Sequence, residues 1–322
     1  MTAIPAWFEN GARGDVGERS LILALDYGGT KHSAAIAARK ERVWLKHERI
    51  ASPPGADASC DQATMLKLAR GLLARVNGRL AAVGVSFGGA VNSAAGIVRL
   101  SHHVPGWEET PLREHLQAEF GVPVAIDNDA HTAALGEYQF GAGQGCASLL
   151  YVTVSTGIGG GWVLEGRIHQ GADGMSGQLG HIVVRPFGAE CVCGKRGCLE
   201  AEACGPAIAR KMRERLGINA PANLTGEAVA RAAVRGDALA QELMDDAAAV
   251  LAAALGGAIN LMNPERVVLG GGVTKSGERW WRIVRETARA HVLPQMRVDL
   301  QPAALGDDAP LWGAVALVDP LL

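Results

Sequence analysis

Between Gly180 and Glu200 the chain reads GHIVVRPFGAECVCGKRGCLE, which gathers His181, Cys191, Cys193 and Cys198 into one short span. One imidazole and three thiolates are the donor set of a closed tetrahedral zinc site. Three of the chain's six cysteines fall here, spaced C-x-C-x4-C with the histidine upstream. Gly194 and Gly197 flank the cysteines and suit a tight metal-binding turn. Buried apolar thiols beside a surface histidine are the bland alternative. A disulfide is the other. Cys191 and Cys193 are too close to pair comfortably, and an odd thiol would remain.

Two glycine-rich stretches have the chemistry of phosphate loops. In Asp26-Tyr27-Gly28-Gly29-Thr30-Lys31, adjacent glycines let the backbone N–H groups approach a phosphate, Thr30 adds a hydroxyl and Lys31 a positive charge. Asp26, at the end of an apolar run, can hold Mg²⁺ directly or through water. Ser155-Thr156-Gly157-Ile158-Gly159-Gly160-Gly161 repeats this chemistry in the second half. Each is also readable as a hairpin turn, and neither is a P-loop, since GxxxxGK[ST] is absent. Gly270-Gly271-Gly272 follows another apolar run and permits close approach of a nucleoside, or simply a turn.

Ala125-Ile126-Asp127-Asn128-Asp129-Ala130-His131 lies where a strand gives way to a helix. A carboxylate there is either a helix cap or a general base that takes a proton from an attacking hydroxyl. Asp127 and Asp129 would share a face of a strand. The helix start at Asp129 is expected to separate them.

The elements that must position these groups follow from periodicity. Short apolar runs predict strands at 21–26, 33–38 and 42–50, a meander, then at 80–86, 122–126, 149–155, 162–165 and 266–269. Helical spacing predicts helices at 61–77, preceded by a capping Asp, and at 129–140, 204–216, 225–235, 237–262, 276–291 and 311–318. Each half opens with an apolar strand, a Gly/Thr turn and another strand, a weak internal duplication. A length of 322 residues fits roughly two domains. We place them at 20–127 and 128–308, after a flexible extension at 1–19, with a closing helix at 309–322 packed on the first. Small ligands sit in clefts between such domains.

A net charge of −2 supplies no basic field for nucleic acid. The N-terminus lacks the charge-and-apolar pattern of a signal peptide. The uncharged stretch 247–264 reads as a buried helix rather than a membrane span. A cytoplasmic location, where reduced thiols favour metal over disulfides, is expected.

Together these residues resemble the ROK family (repressors, open reading frames and kinases) of bacterial sugar kinases, over about residues 20–320. The segment CVCGKRGCLE at 191–200 is similar to the family's CxCGxxGCxE. LDYGGTK at 25–31, AIDNDAHTAALGE at 125–137, STGIGGG at 155–161 and GMSGQLGH at 174–181 follow the family's order. The resemblance implies an α/β, two-domain actin-like ATPase fold (ribonuclease H-like, of the hexokinase type) with a cleft between domains. It implies transfer of the γ-phosphoryl group of ATP, with Mg²⁺, to a hexose hydroxyl, glucose first. Asp129 would be the catalytic base. Gly89, Asn128, Asp129, Gln178, His181 and Glu200 would line the sugar, and His181 would also bind the structural Zn²⁺ with Cys191, Cys193 and Cys198. Asp26, Gly28, Gly29, Thr30, Lys31, Thr156, Gly157 and Gly271 would face the nucleotide. Many members are dimers, so a homodimer is expected, with no nucleic-acid or membrane partner.

The chain departs from the family pattern at three places expected to touch sugar. His103 and His131 stand where the family usually has Asn, and Gln178 where it has Glu. An amide both donates and accepts, whereas a carboxylate accepts only. The alternative acceptors are another hexose, an N-acetylhexosamine or a polyol. A sugar-responsive regulator of the same family is the other class, but the 25 residues before Asp26 are too few for its DNA-binding domain.

Overall fold

The computed structural model describes residues 19–322 except Thr30, Lys40, Pro54, His102 and His103. The predicted flexible extension therefore lies, apart from Arg19, outside the described residues. Strands β1 (Ser20–Tyr27), β2 (Lys31–Ala38) and β3 (Trp44–Ala51) form the expected antiparallel meander. Helix α1 (Ala58–Leu73) starts earlier than its apolar spacing predicts, because the cap is Asp57, whose side chain accepts from the Cys60 amide. Then come β4 (Arg79–Phe87), the small hairpin β5 (Ala90–Asn92) and β6 (Ile97–Leu100), α2 (Leu112–Phe120), β7 (Val124–Asn128) and α3 (Asp129–Phe140).

The second half runs β8 (Ser148–Val154), β9 (Ile158–Leu164), β10 (Arg167–Ile168), α4 (Leu199–Ala203), α5 (Gly205–Leu216), α6 (Gly226–Val234) and α7 (Ala238–Met262). It closes with β11 (Arg266–Gly270), α8 (Glu278–Ala290), β12 (Leu300–Pro302) and α9 (Ala309–Leu317). Helix α7 contains all but the last two residues of the uncharged stretch and is buried along much of its length. Among the described residues no helix is long and apolar enough to cross a membrane.

The strand orders are β3-β2-β1-β4-β7 and β10-β9-β8-β11-β12. In each sheet the first long strand pairs antiparallel with its successor and parallel with the next inner strand. The weak duplication in the sequence is thus one topology used twice. The hairpins β1–β2 and β8–β9 occupy equivalent places.

The first sheet is covered on both faces, which is why β1 reads as a continuous apolar run. Leu21, Leu23 and Leu25 pack with Met65, Leu72 and Leu112 from α1 and α2. The alternate residues Ile22 and Ala24 pack with Leu311, Ala314 and Val315 of α9. Helix α9 lies so close to β4 that a Cβ on Gly84 would fall 1.8 Å from the Ala314 carbonyl oxygen. It also presses on α3, where a Cβ on Gly313 would fall 1.6 Å from the Thr132 carbonyl oxygen. Trp312 is a packing residue, stacked on Trp44 with ring centroids 3.8 Å apart.

Candidate active site

The chemistry-bearing residues collect where β1, β4, β7, β8 and β11 end, the carboxyl edge at which open α/β sheets bind ligands. Asp26 is the penultimate residue of β1 and pairs in register with Ser86 of β4, whose hydroxyl donates to its carboxylate at 2.8 Å. Burial pushes the Asp26 carboxyl up to about 6; the charge of Asp129 adds to this, and Ser86, Lys31 and Arg49 oppose it. In the turn, the Gly28 amide donates to the Lys31 carbonyl at 3.1 Å. A Cβ on Gly28 would lie 2.7 Å from that oxygen, so the tight turn requires glycine. The Lys31 ammonium reaches across to Asp307 at 3.1 Å. Thr30 lies outside the described residues, and Gly29 is half-buried beside it.

The choice between cap and base resolves at the β7–α3 junction. Asn128 is the cap: its Oδ1 accepts from the Ala130 amide at 2.9 Å and the His131 amide at 3.3 Å. Its Nδ2 donates to the Gly89 carbonyl at 2.9 Å and to Asp129 Oδ1 at 2.8 Å. Asp129 Oδ1 also accepts from the Ala130 amide at 2.8 Å, and among the described residues no hydrogen bond reaches Oδ2. Burial raises the Asp129 carboxyl above its ordinary range, against the opposing effects of Ala130, Asn128 and His131. A carboxylate with one oxygen fixed, one open and a raised proton affinity is equipped as a general base. Asp127 is fully buried and turned away, accepting from the Asn128 amide, His131 and Gln170.

The second glycine stretch is a loop only at Ser155–Gly157; from Ile158 onward it is strand β9. Its glycines serve close packing: a Cβ on Gly161 would fall 2.7 Å from the Ala130 carbonyl oxygen, pressing on the start of α3. Thr156 is exposed and Gly157 half-buried at this turn. Glu200 of α4 accepts from the Ile158 amide at 2.8 Å, and a Cβ on Gly157 would lie 2.5 Å from the same carboxylate oxygen. Gly271 has φ 91°, and a Cβ there would lie 2.4 Å from the Val154 carbonyl oxygen. A cleft of about 960 Å³ opens from Ser155, Thr156 and Gly272 towards Ile208, Leu224 and Arg231. Its walls on α5 and α6 were not readable as site residues, because apolar helix positions give no chemical signal.

The four zinc candidates come together. His181 Nδ1 lies 3.6 Å from Cys191 Sγ, Cys193 Sγ lies 3.6 Å from Cys198 Sγ, and one donor atom from each residue falls within 4.8 Å of the others. Zn–S bonds of about 2.3 Å at tetrahedral angles give S···S edges of about 3.8 Å, so the donor set fits that ion. Burial raises the Cys191 thiol and pushes Cys198 up to about 12, while the Lys195 amide lowers Cys193, so a bound cation would have to displace protons from the first two. Gly194 and Gly197 have φ of 84° and 75°, as the turn demands. Buried Glu202 pairs with Lys211 and the partly exposed Arg185, both of which also reach Asp246, and this anchors the strand of loop entering the cluster. Gly180, beside His181, packs on the Ile158 carbonyl whose amide Glu200 holds, so the cluster is fastened to the second hairpin.

The family model described as "ROK family" matches residues 22–320. The chain belongs to the ROK family. A glucokinase of Thermotoga maritima is 32% identical over 92% of this chain and 96% of its own. The ROK hexokinase of Thermus thermophilus superposes with a TM-score of 0.81 at 34% identity, covering 92% of this chain and 97% of the other. A ROK glucokinase of Streptomyces griseus, solved with glucose and AMPPNP, gives 0.80 at 30% identity, covering 92% and 98%. The fold is the two-domain actin-like ATPase fold of these ROK proteins.

The three departures from the ROK pattern fall in different environments. His103 lies outside the described residues. Gln178 is exposed, just before the 3-10 turn Leu179–His181. His131, expected to touch sugar, is instead 1% exposed beneath the junction, with both ring nitrogens bonded within the protein.

Proposed function

We propose that this ROK protein is an ATP-dependent sugar kinase, with glucose the leading acceptor and the attacking hydroxyl lying over Asp129. The observation that carries this is the half-buried Asp129 carboxylate, held at one oxygen by Asn128 and Ala130 and open at the other, in a fold whose two sheets each carry an equivalent glycine hairpin. As the hydroxyl oxygen bonds to the γ-phosphorus and the bond to the ADP oxygen breaks, Asp129 takes the hydroxyl proton. The rest of the work is positioning and charge neutralisation. Asp26 holds the Mg²⁺ that accompanies the nucleotide. The turns at 28–31 and 155–157 present N–H groups to the phosphates, and the cleft bounded by Gly272, Ile208 and Leu224 takes the nucleoside.

His181, Cys191, Cys193 and Cys198 hold a structural zinc ion, which supplies a crosslink rather than chemistry on the phosphate. It fixes the turn that carries Gln178 and His181 and leads to Glu200, the sugar side of the site. The lobes at 20–127 with the closing helix, and at 128–308, close on the substrates. The test is ADP release with Mg-ATP across hexoses and N-acetylhexosamines, with wild type and Asp129→Asn. Sugar-dependent ADP formation is expected, reduced about 10²–10⁴-fold in a folded D129N protein. No sugar-dependent release from wild type overturns the reading, and full activity in D129N overturns the base.

A further inference from the structure

His131 stands in a place that constrains its protonation. Its Nε2 is 2.9 Å from the Ser176 carbonyl oxygen, which can only accept, so Nε2 must carry a proton. Its Nδ1 is 3.0 Å from Asp127 Oδ1. That carboxylate already accepts from the Asn128 amide at 2.7 Å through Oδ1 and from Gln170 Nε2 at 2.5 Å through Oδ2. One further proton must therefore sit between Nδ1 and Oδ1 for both ring bonds to persist. Without it, the lone pair of Nδ1 faces the carboxylate, or the ring gives up Ser176.

Both contacts end in one loop. Ser176 and Gln170 bracket residues 170–176, which fold on themselves through the Ser176 amide to the Gln170 carbonyl and the Ser176 hydroxyl to the His169 carbonyl. The loop runs directly into Gly177, whose Cβ position lies 2.4 Å from the Gly160 carbonyl oxygen, and then into Gln178 and His181. On its outer side it faces the β5–β6 hairpin across a cavity of about 470 Å³ lined by Val91, Asn92, Arg99, Gly171 and Asp173.

We propose that Asp127 and His131 share a proton and with it clamp loop 169–178 to the base-bearing junction, making His131 a positioning residue for sugar affinity. This rests on the kinase reading of the same site. The charged groups facing the ring are Asp127 on β7 and Asp129 on its own helix. From β9 it meets Gly161, and from the loop the Ser176 carbonyl. The loop's own titratable residues, His169 and Asp173, are exposed. Burial lowers the proton affinity of His131, but Asp127, Ser176 and Asp129 outweigh it, so the net displacement is upward. The proton is therefore held beyond the ordinary imidazole range, and the clamp is lost as pH rises on the alkaline side.

The test measures KM and kcat for the sugar across the alkaline limb in wild type and His131→Asn, with amide exchange of residues 169–178 followed without sugar. The wild-type KM should rise about tenfold through the limb while kcat changes less than about threefold. H131N should show the high KM and fast loop exchange at every pH, with no limb. A wild-type KM and loop exchange that ignore pH, or an H131N protein matching wild type in both, overturn the clamp. Should H131N fail to fold, imidazole NMR of the wild type decides: an Nδ1–Asp127 contact with no proton in it at pH 6 overturns the clamp, and a shared proton whose loss accompanies faster loop exchange supports it. Absence of sugar turnover would sink the kinase reading alone, since loop exchange tests the clamp independently.

Discussion

Replacing Asp26 with asparagine should stabilise the fold above pH 6 while removing most activity. The carboxyl is 7% exposed, and burial with a like charge at Asp129 moves it from its ordinary 3.8 to about 6. The folded chain thus keeps this proton to higher pH than the unfolded chain does. Stability falls as pH rises through that interval, by about 3 kcal/mol in all, and stays reduced above it. Asparagine removes the charge but retains an oxygen for the Ser86 hydroxyl, so little else changes. The variant should gain about 1.5 kcal/mol more at pH 8 than at pH 5, because about half of the cost is already present at pH 5. Urea unfolding of both proteins at the two pH values reads this directly, from midpoints and slopes. A difference that does not grow with pH, or a variant less stable at pH 8, refutes the claim that Asp26 holds a poorly solvated charge. The same side chain cannot then be poised for a cation by burial.

Cys191→Ser should drop bound zinc from about one ion per chain to near none and lower thermal stability with it, measured by elemental analysis and a melting curve. A variant that keeps its melting temperature without metal would refute a structural role. Gln178→Glu should move the ratio of kcat/KM between glucose and an N-acetylhexosamine by about tenfold, through loss of the amide donor. Its stability should stay within about 0.5 kcal/mol, as Gln178 is exposed. An unchanged ratio would mean that position 178 does not contact the sugar.

Much was legible in the chain because the chemistry is local. The C-x-C-x4-C spacing, the glycines of the 28–31 turn and the apolar runs of β1, β4, β8 and β11 each report their own backbone conformation. Short elements escaped: β5, β6, β10 and β12 have two to four residues, too few for periodicity, and α2 buries only Leu112 and Leu116. The 155–161 stretch reads as a longer loop because its glycines signal a turn, whereas most of them relieve contacts that only the fold creates.

The sequence by itself determined which donors exist and in what order: the zinc set, the glycine hairpins and the carboxylates at the end of β7. Tertiary structure decided what each carboxylate and histidine is for. Asn128 became the cap, which left Asp129 with an open oxygen, and Asp127 turned inward to His131. These outcomes depend on partners 39 to 45 residues away, Gly89, Gln170 and Ser176, which reach the junction only when the sheets assemble. A side chain's type is local, but its proton and its hydrogen-bond partners are set by the groups that burial brings against it.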